Sequence, residues 1–279
     1  MNIKNSTICA ALAACCTLLC ADSLGEPILK SGDKLAFMGD SITQFGNSNP
    51  VGYVNLVMKG LEVAGIQAKK IPAGVSGHKS PQMKERLQRD VLDKHPQVMT
   101  FSCGVNDVWH GANGVPLANY CANVSNIFDR CAAAGVKVVV LTATVIGEDL
   151  DNANNKKLAA YNDFLRAEAA ARKLPLADLN ADIQAFIKSF PPEHKGNKAT
   201  GDGVHMAWEG DKVMARGVLL ALGVPEAKMP EIEEAWRKMP GYRTYKVPVS
   251  ADEAKVLDEQ AKAKGCKVED LFRDVLLAK

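Results

Sequence analysis

Four short segments of the chain hold side chains that could together carry out acyl transfer. They are Gly39-Asp40-Ser41-Ile42-Thr43, Ala73-Gly74-Val75-Ser76-Gly77, Gly104-Val105-Asn106-Asp107 and Asp202-Gly203-Val204-His205. Serine is a weak nucleophile until a base takes its proton, and histidine is the side chain suited to that task at neutral pH. The histidine needs an acceptor to fix its tautomer, and Asp202 stands three residues before His205. Attack on a carbonyl builds an oxyanion, which must meet donors that do not move. The Ser41 N–H, a glycine N–H from the second segment and the Asn106 side-chain amide are candidates, and glycine lets that loop approach closely. Each residue also has a plainer reading: Ser41 as a helix N-cap, Asp202 as a cap of the helix that follows, Asn106 as a turn residue, His205 as a surface histidine. Asp40 and Asp107 read as loop-bracing. His78 and His110 lie beside the site in sequence and are candidate substrate contacts.

The surrounding chain supplies elements that place these segments together. Apolar runs alternate with amphipathic stretches from Leu35 to about Leu222. Leu35–Met38, Gln67–Ile71, Val98–Ser102, Val136–Leu141 and Leu174–Ala177 read as strands. Tyr53–Ala64, Ser80–Asp93, Pro116–Ala134, Asn155–Lys173, Ala181–Phe190 and Trp208–Leu222 read as helices, with Pro81 at a first helical position and Gly135 and Gly223 as stops. Such alternation predicts an α/β fold: a mainly parallel sheet between two layers of helices. In these folds the ligand site lies beyond the carboxyl ends of the strands. The first three segments follow strands and the fourth precedes the last helix of the block, so all four come to one sheet edge.

Four such blocks in this order resemble the GDSL, or SGNH, hydrolase family, and they span Gly39 to His205. The resemblance implies a flavodoxin-like three-layer sandwich. It implies Ser41 as nucleophile, His205 as base and Asp202 as its orienter, with the Ser41 N–H, Gly77 and Asn106 forming the oxyanion hole. Gly77 is preferred to Gly74 because the family's donor follows the small residue of that loop. The second block often begins with Asn, and here Pro72 holds that place, which removes a loop-anchoring hydrogen bond. The Gly-x-Ser-x-Gly elbow of the α/β-hydrolases is absent.

Other chemistries fail on residue type. No His/Cys/Asp cluster has zinc spacing and no glycine-rich loop ends in Gly-Lys-Ser/Thr, so neither metal nor cofactor is expected. With 34 Lys+Arg against 32 Asp+Glu the net charge is +2, which argues against a nucleic-acid partner or an anionic membrane surface. The 47% hydrophobic and 24% charged content is that of a globular chain.

Residues 1–23 read as a signal peptide, with Lys4 as the positive region, Ile8 to Leu19 as the apolar stretch and cleavage between about 21 and 25. Leu12-Ala13-Ala14-Cys15 also resembles a lipobox, which would make the protein a lipoprotein anchored at Cys15. Either way the chain is expected to be exported, periplasmic or extracellular, with no membrane span in the mature part. Cys103, Cys121, Cys131 and Cys266 remain after the leader. Cys121 and Cys131 fall ten residues apart on one helix, about 15 Å, too far to pair; free thiols are expected.

The hydrolase domain is expected at 28–225, followed by a helical extension at 226–279. In that extension Tyr245–Val247 reads as a short strand, and Ala251–Lys264 and Val268–Leu277 as helices. The outline faintly resembles a ribbon-helix-helix module, but its mixed charges and the leader favour a packed hairpin or a homodimer contact. The function expected is an exported serine ester hydrolase removing a small acyl group, acetyl above all, from a carbohydrate or other polar alcohol. The loops Gly147–Asn155 and Pro191–Gly201 are polar and offer no apolar lid for a long chain. The competing readings are a lysophospholipase or thioesterase, and a non-catalytic carbohydrate-binding protein on the same scaffold.

Overall fold

The computed structural model describes residues 27–241 and 249–265, together with Val268 and Leu271. Strands β1 (Lys34–Gly39), β2 (Lys69–Gly74), β3 (Val98–Ser102), β4 (Lys137–Leu141) and β5 (Leu176–Ala177) form one sheet in the order β2-β1-β3-β4-β5. Every pairing is parallel, with Gly39 opposite Gly74 and Phe37 opposite Thr100. The central β3 is buried along its whole length, as a strand covered on both faces must be. Pro72 is tolerated because β2 is an edge strand and needs no donor on its outer side.

Helices cover both faces. On one lie α2 (Tyr53–Val63), α7 (Leu179–Lys188), α8 (Trp208–Ala221) and α9 (Met229–Trp236). On the other lie α3 (Ser80–Asp90), α5 (Leu117–Ala133) and α6 (Ala153–Arg172). Their apolar residues recur at helical spacing; α5 buries Tyr120, Val124, Ile127, Phe128 and Cys131. This is the three-layer α/β/α sandwich expected from the alternation. Two short helices, α1 (Ser41–Ser48) and α4 (Val105–Trp109), start where β1 and β3 end; neither is among the helices read from the sequence. The exposed α10 (Ala251–Lys264) closes the described chain and starts at a Ser250–Glu253 capping box. Helix α9 belongs to the segment read as an extension, yet it packs on α2: Trp236 is buried and its Nε1–H donates to Leu56 O at 2.8 Å.

The leader, the strand expected at Tyr245–Val247 and most of the helix expected at Val268–Leu277 lie outside the described residues, as does Cys266. Among the described residues no helix is long and apolar enough to cross a membrane. Cys103, Cys121 and Cys131 are free thiols.

Tyr53 joins three helices. Its N–H donates to Asp211 of α8 at 2.8 Å, starting α2, and its hydroxyl shares a 2.8 Å hydrogen bond with Thr43 of α1. Burial pushes the Asp211 carboxyl up to about 7, against the lowering effect of that N–H. The folded chain therefore binds this proton more tightly than the unfolded one, and stability falls as pH rises from about 4 toward 7. Asp211→Asn keeps an oxygen for Tyr53 and has no proton to lose. Its stability relative to the parent is expected to rise by about 1–3 kcal/mol between pH 5 and pH 8, read from urea midpoints. The same difference at both pH values would mean that the buried carboxyl titrates normally.

Candidate active site

Strand β1 ends at Gly39 and the chain turns at once into α1. Asp40 is the N-cap, accepting from the Ile42 N–H at 2.9 Å, so Ser41 is the first helical residue and not the cap. A first-turn N–H has no intrahelical acceptor, and the Ser41 N–H points out at the positive end of the helix with no partner among the described residues. Burial pushes Asp40 up to about 6, opposed chiefly by the Ile42 N–H.

The loop after β2 closes on α1. A Cβ on Gly74 would lie 2.4 Å from the Gln44 backbone nitrogen, so this approach requires glycine. Gln44 Oε1 accepts from both the N–H and the hydroxyl of Ser76 at 2.7 Å, which anchors this loop to α1. Gly77 follows at φ +76°, a left-handed conformation suited to glycine, and its N–H is likewise without a partner among the described residues. Beneath both loops the buried Arg86 guanidinium donates to Gly39 O and Ala73 O, each at 2.7 Å. It clamps the ends of β1 and β2 together.

The loop after β3 is braced from α3. Asp107 accepts from the Ser80 N–H at 3.0 Å and the Ser80 hydroxyl at 2.7 Å, and burial pushes its carboxyl up. Asn106 is buried beside it. Its Nδ2 donates to His78 O at 3.3 Å, and its Oδ1 lies 3.2 Å from His110 Nε2. With His110 donating, the amide keeps its second Nδ2 hydrogen available. His110 is thus attached to Asn106 through its ring and His78 through its backbone carbonyl, while His78 Nδ1 is buried without a hydrogen-bond partner among the described residues.

Before α8 the chain turns back over α1. His205 Nε2 lies 2.9 Å from Ser41 Oγ, and His205 Nδ1 lies 2.7 Å from Asp202 Oδ2. The other Asp202 oxygen accepts from the N–H groups of Val204 at 3.0 Å and His205 at 2.8 Å. Partial burial pushes the Asp202 carboxyl up, but these bonds outweigh it and hold it at about 2. Asp202 does not cap α8; Ala207 is the N-cap. The serine, the base and its orienter expected from the sequence are thus in one hydrogen-bonded line, able to pass a proton from Oγ to Nε2.

Glu148 was not foreseen. Its carboxylate accepts from the N–H of Lys198, Ala199 and Thr200 at 2.6, 2.9 and 2.8 Å and from the Thr200 hydroxyl at 2.7 Å. The neighbouring Gly147 N–H donates to Gly203 O at 2.7 Å. The loop after β4 therefore holds the loop that carries Asp202 and His205.

Residues 37–213 match the GDSL-like Lipase/Acylhydrolase family. The chain belongs to that family. As a GDSL-like acylhydrolase it is a carboxylic ester hydrolase. An acetylxylan esterase of Geobacillus stearothermophilus is 24% identical over 212 residues, 69% of this chain and 95% of that protein. The solved structure of the acetyl xylan esterase AlAXEase is 31% identical, with a TM-score of 0.64 over 67% of this chain and 98% of its own. That of Axe2, an acetylxylan esterase from Geobacillus stearothermophilus, is 23% identical, with a TM-score of 0.64 over 71% of this chain and 97% of its own, and shows the shared GDSL-like fold.

Glu148→Ala frees four donors at once. It is expected to lower kcat by about tenfold to a hundredfold while KM changes little, because a small displacement of the histidine loop costs alignment more than binding. Glu148→Gln, which keeps one acceptor oxygen, should fall between. Unchanged steady-state kinetics in Glu148→Ala would show that the loop holds itself.

Proposed function

We propose that this protein is an exported serine esterase that removes acetyl groups from a carbohydrate, with Ser41, His205 and Asp202 as its triad. The observation that carries the reading is the unbroken line from Ser41 Oγ through the His205 ring to Asp202, 2.9 and 2.7 Å. In this reading His205 Nε2 takes the Ser41 proton as Oγ attacks the ester carbonyl. The tetrahedral oxyanion meets the Ser41 N–H, the Gly77 N–H and the Asn106 Nδ2–H. His205 then gives its proton to the departing sugar oxygen, leaving an acetyl-enzyme. A water molecule, deprotonated by the same nitrogen, releases acetate and restores Ser41. Asp202 keeps Nδ1 protonated throughout, so that Nε2 is free to accept.

The acetylated sugar is supported by the acetylxylan esterase relatives and by the polar loops around the site. Export is supported by the leader read in residues 1–23.

Ser41→Ala is expected to abolish hydrolysis of p-nitrophenyl acetate and labelling by a fluorophosphonate probe, with an unchanged circular dichroism spectrum. Full turnover by this variant would end the serine reading. On p-nitrophenyl esters of rising acyl length the parent enzyme should prefer acetate.

Asn106 gives a sharper test. Asn106→Ala should lower kcat about 10²–10³-fold with little change in KM, since the oxyanion exists only in the transition state. Asn106→Asp, assayed at a pH where its carboxylate is ionised, should be worse. A second negative charge about 4 Å away adds roughly 4 kcal/mol at an effective dielectric near 20. Near-normal turnover in both variants would make Asn106 a turn residue.

A further inference from the structure

Among the described residues the large apolar side chains left exposed are Phe45 at 47%, Trp109 at 43%, Val249 and Val256. The valines lie in or beside α10. Both aromatics lie at the sheet edge that carries the active site. Phe45 is four residues beyond Ser41 on α1, and Trp109 is three beyond Asn106 on α4. Each ring therefore stands one turn past a group of the site, on the same helix face. The Phe45 ring meets the His205 ring at 4.9 Å between centroids, tilted by 53°. The Trp109 ring lies 6.0 Å from His110, tilted by 34°, and His110 is in turn bonded to Asn106. One ring flanks the site from the nucleophile side and the other from the amide side.

We propose that Phe45 and Trp109 determine specificity by forming an aromatic platform for the sugar rings that carry the acetyl group. The proposal rests on the carbohydrate-ester reading above and deepens it. A half-exposed ring offers a flat apolar face to the C–H face of a pyranose. A long acyl chain would need an enclosed apolar sleeve, whereas the ring neighbours of Phe45 and Trp109 here are His205 and His110.

The test compares two substrates on the full-length enzyme: acetylated xylo-oligosaccharides, which reach the rings, and p-nitrophenyl acetate, whose leaving group is not a pyranose. In Phe45→Ala and in Trp109→Ala the ratio of kcat/KM for the saccharide to that for the aryl acetate is expected to fall about tenfold, carried by KM. Phe45→Tyr and Trp109→Phe, which keep a flat ring, should recover most of it. Binding of the acetylated saccharide to Ser41→Ala, followed by calorimetry, should weaken in parallel when either ring is also removed. An unchanged ratio, with both substrates slowed equally, would assign the rings a supporting role for His205 and Asn106 and overturn the platform while leaving the deacetylase reading intact. A parent enzyme active on p-nitrophenyl acetate but on no acetylated saccharide would overturn both.

Discussion

Ser41 and His205 are separated by 164 positions, yet the proposed chemistry needs them at 2.9 Å. Closing so long a loop costs about 4–5 kcal/mol in chain entropy alone, and a contact between two side chains cannot supply that. Tyr53 shows how the fold does. Its hydroxyl holds Thr43, two residues from Ser41, and its N–H is held by Asp211, six residues beyond His205. The helix that begins at Ser41 and the helix that follows His205 are therefore both registered on one fully buried residue. Packing of α2 against α8 and α9, with Trp236 bonded back to Leu56, makes that registration part of the core. The active-site distance is a by-product of core packing on one face of the sheet.

Electrostatics at the site divides along the same line. Asp40, Asp107 and Asp211 are buried, and burial pushes each carboxyl up. They act as acceptors that fix helix starts and loops, and their cost is carried by the fold. Asp202 is different: its side chain is 55% exposed and its carboxyl is held at about 2. Water screens an exposed pair, so Asp202 contributes little through its charge alone. Its two backbone N–H bonds matter more, because they leave the second oxygen aimed at Nδ1 of the histidine three residues on. In the proposed reading the His205 ring is oriented by this tight turn and not by burial of its acceptor.

That locality explains what the sequence made legible. Asp202 and His205 are a short-range pair, and Ser41 and Asn106 each follow a buried strand whose pattern is plain, while Gly77 follows the edge strand β2. The order of apolar runs was enough for the layers and for a site at the strand ends. The supports of the site act across long gaps and leave no local pattern. Arg86 reaches Gly39 across 47 positions and Glu148 reaches Ala199 across 51. Helix α1 was hidden because Gly46, Asn47 and Ser48 look like a loop, and α4 is barely more than one turn. Helix α9 was missed for a different reason. Pro230 reads as punctuation, but proline in the first turn of a helix marks a start as readily as a stop.

The loops above the strand ends spend their polar groups on one another. Asn152 and Asn155 bond to Ile146 O and Gly147 O, Glu148 holds residues 198–200, and Leu150 turns back onto the core. Loops tied down in this way offer no apolar flap to wrap an acyl chain. Rigidity also limits induced fit, because closing such a loop would first break bonds to its own backbone. Selectivity must then come from surfaces that are already in place when the substrate arrives. In the proposed reading those surfaces are the exposed rings of Phe45 and Trp109, one turn beyond Ser41 and Asn106 on α1 and α4.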